Sequence, residues 1–410
     1  MKKQRSSKMK KISRVFVVCL MMVMMHAMGS VSILRADDVH ATLNPKIVKQ
    51  VTVAEGVTYP STVFQFNFTS YAFNNEADSS LPALPSITIE VGNATKTQVA
   101  GGDVYEASGA IAVDASTFTK AGVYTYELKE ASGVNPNGSS LDTLAGMSYD
   151  NTTYRVHIYV KNVASGLEIA NYTIEKVVGE TTEKVDASEA GKGLVFANAY
   201  KTVAGSTGSD IIKDGDRFAS FRLTKEVAGE YADKTRAFNF SVYFDAALTE
   251  TTEKTYSYYV ADKTTHTKID GSEKTVTIDP TTGATVEVDL THNQEVIFFD
   301  LPTGTSVHAI EKHVEDYTGS YSFTSDSSTL SGLTNLVGGQ GDDSNNLYIG
   351  KNSSVNQTVF LGETINVADV TNTYKTVNFT GLVMDNLPFI ICIIIGGAGL
   401  LMILGKRRKA

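Results

Sequence analysis

The stretch Tyr154-Arg155-Val156-His157-Ile158-Tyr159-Val160 decides the fold class, because apolar side chains recur at every second position. Successive side chains of a strand point to opposite faces of its sheet, so a repeat of two marks a strand with one buried face. Phe64, Phe66 and Phe68 alternate with polar neighbours in the same way, as do Phe238, Phe240, Val242 and Phe244. Thr, Val, Tyr and Phe are abundant, turn residues separate the runs, and no stretch of the body holds a helical period. About 340 residues lie between the two terminal segments, room for two β-sandwich domains of ordinary size. The expected fold class is all-β, as two tandem sandwiches.

A repeat divides the body. Ala197-Asn198-Ala199-Tyr200-Lys201-Thr202-Val203 returns as Thr371-Asn372-Thr373-Tyr374-Lys375-Thr376-Val377, and Lys49-Gln50-Val51 matches Lys225-Glu226-Val227. Tyr126-Glu127-Leu128-Lys129-Glu130 has its counterpart in Val307-His308-Ala309-Ile310-Glu311. Asn198 thus recurs at Asn372, Lys49 at Lys225 and Glu130 at Glu311, three separate landmarks shifted by nearly one period, which indicates a duplicated unit. The first unit is expected over residues 42–203 and the second over 219–376. Residues 204–218, rich in Gly, Ser and Asp, exceed what a tight connection needs and read as a linker or inserted loop.

Strand parity tells where the polar residues of these units point. Lys49 is in phase with Ile47, Val51 and Val53, and Lys225 with Phe221, Leu223 and Val227. Glu130 is in step with Tyr124, Tyr126 and Leu128, and Glu311 with Val307 and Ala309. Asn198 follows Leu194 and Phe196, and Asn372 follows Val370. Each half thus aims one Lys, one Glu and one Asn at its core. A single inward lysine would read as a strand end whose ammonium reaches back to water; two complete triads in register outweigh that reading. Unpaired charge in a core is unfavourable, so these groups must be neutralised, paired or converted. Burial lowers a lysine pKa and raises a carboxyl pKa, which favours a neutral amine beside a neutral acid. The neutral amine is a nucleophile, the Asn carboxamide is its electrophile, and the carboxyl can shuttle a proton as ammonia leaves. A Lys-Asn isopeptide cross-link is expected in each unit.

The composition suits such chemistry. Both cysteines, Cys19 and Cys392, lie in the terminal segments, so the body has no thiol for disulfides, catalysis or cysteine metal sites. Residues 42–380 hold 24 basic and 42 acidic side chains, a formal charge of −18 that repels nucleic acid and anionic lipid. His308, Glu311 and His313 make no zinc site, since parity puts His308 opposite Glu311. Asp342, Asp343, Asn345 and Asn346 match no calcium-loop spacing. The sequence holds no phosphate-binding glycine loop and no nucleophile-His-acid motif. No metal and no cofactor is expected, and a cross-link made once per unit does not make the protein an enzyme.

Residues 1–14 carry seven basic groups and no acid ahead of the apolar run Val15 to Gly29, the pattern of a secretory signal peptide. Val39-His40-Ala41 supplies small residues for cleavage, which places the signal over 1–41. At the other end, the apolar run Leu387 to Leu404 holds no charge and is followed by Lys406, Arg407, Arg408 and Lys409. Such a segment spans a membrane and leaves its basic tail in the cytoplasm. Thr380-Gly381 precedes it, and this order of peptide, apolar helix and basic tail resembles the sortase cell-wall sorting signal. In that signal a transpeptidase cuts between Thr and Gly and keeps the Thr as an acyl-enzyme. The expected segments are a sorting motif at 377–381, a spacer and transmembrane helix at 382–405, and a tail at 406–410. Val377 and Asn378 stand where the signal usually has Leu and Pro, which points to a dedicated sortase.

Paired Lys/Glu/Asn sandwiches, a cysteine-free body and a sorting signal together resemble the streptococcal T-antigen (FctA-like) backbone pilins, over nearly the whole chain. The resemblance implies immunoglobulin-like domains with Lys49 joined to Asn198 beside Glu130, and Lys225 joined to Asn372 beside Glu311. It also implies a pilus sortase that joins the C-terminal Thr of one subunit to a Lys of the next identical subunit. By position that acceptor is Lys192, between Gly191 and Gly193, with Lys184 and Lys176 as alternatives; the tyrosine-proline-lysine pilin motif of other Gram-positive pili is absent. Accessory pilins at tip or base and peptidoglycan are the further partners implied, at the cell wall and cell surface. A monomeric, wall-anchored adhesin is the other reading of this stalk-like build, and it would usually bring a large extra ligand-binding domain.

Overall fold

The computed structural model describes residues 45–92, 95–134, 144–187, 193–325, 336–337, 346–350 and 359–374. The expected signal peptide, the acceptor Lys192, the Thr380-Gly381 bond and the C-terminal apolar helix lie outside them. Among the described residues no helix is long and apolar enough to cross a membrane, and the single 3-10 turn Ala115–Thr117 interrupts an all-β chain.

The described strands form four sheets arranged as two pairs. In the first unit a five-stranded sheet runs in the order Thr95–Val99, Gly102–Ala110, Lys46–Ala54, Leu194–Tyr200, Met147–Ser148. Its partner has the order Thr181–Val185, Gly166–Val178, Thr153–Val163, Gly122–Val134, Thr62–Phe73, Glu76–Ala77, with Ile87–Val91 also paired to Thr62–Phe73. Two-residue turns join the hairpins, as between Thr153–Val163 and Gly166–Val178. Val178 pairs with Thr181, so Gly179 and Glu180 close the next hairpin, and Gly179 takes φ 60, where a Cβ would be strained. The alternation seen in the sequence then builds the core. Ile47, Val51 and Val53 from one sheet meet Phe64, Phe66, Leu128 and Val156 from the other, each no more than 1% exposed.

The second unit repeats the plan. Lys274–Ile278, Lys254–Asp262, Gln294–Phe299, Arg217–Ala228, Val367–Tyr374, Tyr317–Thr324 and Leu336–Val337 follow one another in one sheet, with Lys213–Asp214 paired to Arg217–Ala228. Ala284–Leu290, Phe238–Asp245, Ser306–Glu311 and Leu347–Ile349 form the other, with Val359–Phe360 paired to Ser306–Glu311. Phe221, Leu223 and Val227 pack on Phe240, Val242, Val307 and Ala309 in a second, separate core.

The first and last strands of each unit are neighbours and run parallel, which sets the place of the polar residues between them. Lys49 lies opposite Phe196 and Val51 opposite Asn198; in the second unit Lys225 lies opposite Val370 and Val227 opposite Asn372. The Lys is two positions short of facing the Asn in both units.

Residues 204–218, read from sequence as a linker or inserted loop, lie against the second unit. Ala204 is fully buried and donates its N–H to the Leu301 carbonyl at 2.9 Å, and Gly205 and Thr207 donate to the Gly362 and Glu363 carbonyls at 3.2 and 3.0 Å. Thr202 Oγ1 donates to Glu363 Oε1 at 2.9 Å, and Lys201 reaches the buried carboxylate of Glu250 at 3.2 Å.

Candidate functional site

In the first unit the Lys49 side chain is fully buried, and its Nζ donates to Glu130 Oε2 at 2.8 Å and to the Phe196 carbonyl at 3.3 Å. Asn198 Nδ2 donates to Glu130 Oε1 at 2.8 Å, so one carboxyl group bridges the amine and the carboxamide. Lys49 and Asn198 come from the parallel pair of one sheet, whereas Glu130 reaches across from the facing sheet, where it pairs with Phe66. The ring of Phe64 covers the amine at 4.6 Å. Asn198 Oδ1 accepts the backbone N–H of Asp150 at 2.8 Å.

The second unit brings together the corresponding residues. Lys225 is fully buried; its Nζ donates to Glu311 Oε1 at 2.9 Å and also touches Asn372 Oδ1. Glu311 again comes from the facing sheet, where it pairs with Phe240. The Phe238 ring lies 4.0 Å from the amine. Gly319, directly opposite Asn372 on the next strand, lies close against the cluster: a Cβ there would sit 3.5 Å from Glu311 Oε2, 3.6 Å from Asn372 Oδ1 and only 3.1 Å from Leu347 Cδ2.

Burial is the largest influence on all four ionisable groups. It draws Lys49 down to about 8 against the attraction of Glu130, and Lys225 to about 8 against that of Glu311. The same burial raises Glu130 and Glu311 against their lysines. Both pairs therefore move toward a neutral amine beside a neutral acid, the state that nucleophilic attack needs. From there Nζ can attack the Asn Cγ. The Nζ–Cγ bond forms, the amine gives up one proton through the Glu carboxyl to Nδ2, and the Cγ–Nδ2 bond breaks to release ammonia. No other reactant is consumed.

The direction of these pKa changes predicts how an unlinked unit responds to pH. Take Asn372→Ala, which retains Lys225 and Glu311 but has no electrophile. Between about 8 and 10.5 the unfolded chain holds the Lys225 proton that the folded chain has released, so stability rises with pH there. The full gain is on the order of 3 kcal/mol, since a tenfold change in proton affinity is worth about 1.4 kcal/mol. Glu311 acts in the opposite sense: above 4.5 the folded chain keeps a proton that the unfolded chain has lost, so stability falls as pH rises from that point. Urea melts of the variant should show both trends, a fall with pH that begins above 4.5 and a rise that begins near 8. A linked unit, whose lysine is an amide, should show no rise between pH 8 and 10.5.

The structure brings the six triad residues together in two groups of three, on the core side where strand parity puts them. Their surroundings are not evident from parity. Phe64 and Phe238, which screen the amines, stand in the alternating runs and are related by the same offset that carries Asn198 to Asn372. That shared offset was the available signal. Asp150 carries no such mark, because it meets Asn198 through its backbone. Of the alternative acceptor lysines, Lys184 is exposed on the strand Thr181–Val185 and pairs with Glu175, while Lys176 is half-buried opposite Glu183. His308 stacks on Tyr243 with centroids 4.7 Å apart, on the face opposite Glu311.

Fold and site together define the class: an all-β protein in which each unit holds a buried Lys/Glu/Asn cluster between its first and last strands. Residues 45–201 match the FctA family model, described as a Spy0128-like isopeptide containing domain. Residues 219–374, which contain the second cluster, match a domain of unknown function, DUF7601. No curated protein matches the chain. Among solved structures, the major pilin from Streptococcus pyogenes is 16% identical, with 81% of this chain and 99% of that one covered at a TM-score of 0.32. The T3.2 major pilin of Streptococcus pyogenes serotype GAS13637 is 15% identical, with 82% and 100% covered at a TM-score of 0.30. The pilus-presented adhesin Cpa is 8% identical, with 81% and 99% covered at a TM-score of 0.27.

Proposed function

We propose that the chain is the major backbone pilin of a sortase-assembled pilus on a Gram-positive cell surface, with each of its two immunoglobulin-like domains stapled by an autocatalytic Lys-Asn isopeptide bond. The observation that carries this reading is the same buried cluster formed twice, with Lys Nζ 2.8 and 2.9 Å from a carboxyl that the Asn also contacts. The match of residues 45–201 to the FctA family model supports it. The domains are 42–203 and 219–376, joined through 204–218. Export begins with removal of 1–41, and the sorting motif 377–381 is cut at Thr380-Gly381, with the helix 382–405 and tail 406–410 holding the precursor until then. The dedicated sortase transfers Thr380 to Lys192 of the next identical subunit. Accessory pilins and peptidoglycan complete the assembly, which supports adhesion.

Two measurements test the reading. The intact mass of a recombinant body spanning Thr42 to Thr380 should be lower than its sequence mass by two ammonia molecules; an unshifted mass would remove both staples from the proposal. In cells that carry the matching sortase, immunoblots of the wall should show a high-mass ladder. Lys192→Ala should abolish the ladder and leave both staples intact, because a lysine between two glycines contributes little to a core. If the ladder persists, Lys184 and Lys176 are the next acceptors to replace. A wild-type chain that never forms a ladder would instead be an anchored monomeric adhesin.

A further inference from the structure

The two clusters differ in how the reacting carbonyl is held. Asn372 Oδ1 is met by the lysine amine itself, and the residue directly opposite Asn372 on the next strand is Gly319. Asn198 Oδ1 instead accepts the Asp150 backbone N–H at 2.8 Å. The neighbour of the asparagine strand on that side is the short strand Met147–Ser148, which ends where the 149–152 segment crosses Asn198. Gly146, at φ 84, lets this segment approach so closely that a Cβ there would collide with the Lys201 carbonyl. The Asp150 side chain ties the segment down: Oδ2 accepts the Ala197 N–H at 2.7 Å, and Oδ1 accepts the Thr152 N–H at 2.7 Å. The donor is thus fixed on both flanks before any reaction.

We infer that the Asp150 backbone N–H is an oxyanion donor for the first-domain cross-link, aimed by the Asp150 carboxylate; among the described residues no backbone N–H takes that place at Asn372 Oδ1. The inference rests on the isopeptide reading above. When Lys49 Nζ attacks Asn198 Cγ, negative charge develops on Oδ1, and a fixed N–H already on that oxygen stabilises it without reorganisation. Glu130 meanwhile holds Nδ2, the leaving nitrogen, at 2.8 Å. Oxygen and nitrogen of the carboxamide are therefore each gripped by the group that their fate in the reaction requires. Asp150 is a positioning residue through its side chain and acts on the reacting atom only through its main chain.

The test is a timed linking assay. Full chains made by cell-free synthesis are quenched into acidic denaturant at intervals, and the linked peptides of both domains are counted by mass. Loss of one oxyanion donor slows comparable reactions by roughly 100-fold or more, so Asp150→Ala should slow the Lys49-Asn198 bond by about that factor. The Lys225-Asn372 bond in the same molecules should keep its rate. Asp150→Asn, which keeps one acceptor, should fall between. The charge of Asp150 gives the discrimination a sign: the carboxylate raises the Lys49 pKa, so removing charge alone would free the amine and speed linking. A folded Asp150→Ala chain that links as fast as wild type, or faster, overturns the inference and leaves the isopeptide reading standing. Should that variant fail to fold, Asp150→Asn linking at the wild-type rate overturns it equally. A wild-type chain with no Lys49-Asn198 bond overturns both.

Discussion

A chain carrying Glu311→Ala is expected to leave its second domain unlinked while the first links normally, and Glu130→Ala to do the reverse. After allowance for the substitution, each variant should be heavier than wild type by one ammonia, and peptide mapping should place the missing bond at Lys225-Asn372 or Lys49-Asn198. The independence follows from geometry, since each carboxyl touches the amine and amide of its own unit and the two cores are separate clusters. Stability should fall with the bond. Lys225 and Asn372 stand 147 positions apart in the chain, and Lys49 and Asn198 are separated by nearly the same length. By the chain-entropy relation for cross-links, closing a loop of that size restricts the unfolded chain by roughly 5 kcal/mol. Removing the carboxyl also leaves a buried amine without its partner, which adds to the loss. Asn372→Ala separates the two effects: it lacks the bond but keeps the carboxyl, so its deficit against wild type measures the cross-link more nearly alone. A Glu311→Ala chain that still shows two ammonia losses would show that the carboxyl is not needed for the chemistry.

What could be read in the sequence followed from short-range periodicity. Alternation fixes which face a side chain takes without any knowledge of the neighbouring strand, so the inward Lys, Glu and Asn were legible in both halves. Neighbour identity was not. Nothing local to Lys49 or Asn198 states that their strands lie side by side and parallel, because that pairing is set by the whole sandwich closing around the core. The stagger between Lys and Asn, the crossing of Glu130 from the opposite sheet and the Asp150 donor all depend on it. Thr224 marks another limit. Parity puts it on the face away from Lys225, yet it is 1% exposed and donates to Asp369, so that face is covered as well. Periodicity of two separates faces and does not say which of them meets water.

The parallel pairing also governs the response to force, and here the expected difference is largest. Pulling on the two ends of the body draws Lys46–Ala54 toward its N-terminal end and Leu194–Tyr200 toward its C-terminal end, so the hydrogen bonds between these strands are loaded in shear. In a linked domain the load passes from Lys49 through the isopeptide to Asn198, and the residues between them carry none. The second domain repeats the arrangement with Lys225 and Asn372. The longest stretch outside both staples within the folded body is then 199–224. Its bonds to Leu301, Gly362 and Glu363 can break, which would release at most about 90 Å at roughly 3.5 Å per residue. Glu130→Ala returns residues 50–197 to the load path, and on rupture they should add about 500 Å of contour length. Single-molecule stretching of both proteins between terminal handles reads this directly. Wild type should show no step beyond about 90 Å, and each Glu→Ala variant one further step of about 500 Å. A step of about 500 Å in fully linked wild type would mean that the staples lie outside the force path, contrary to the pairing of first and last strands.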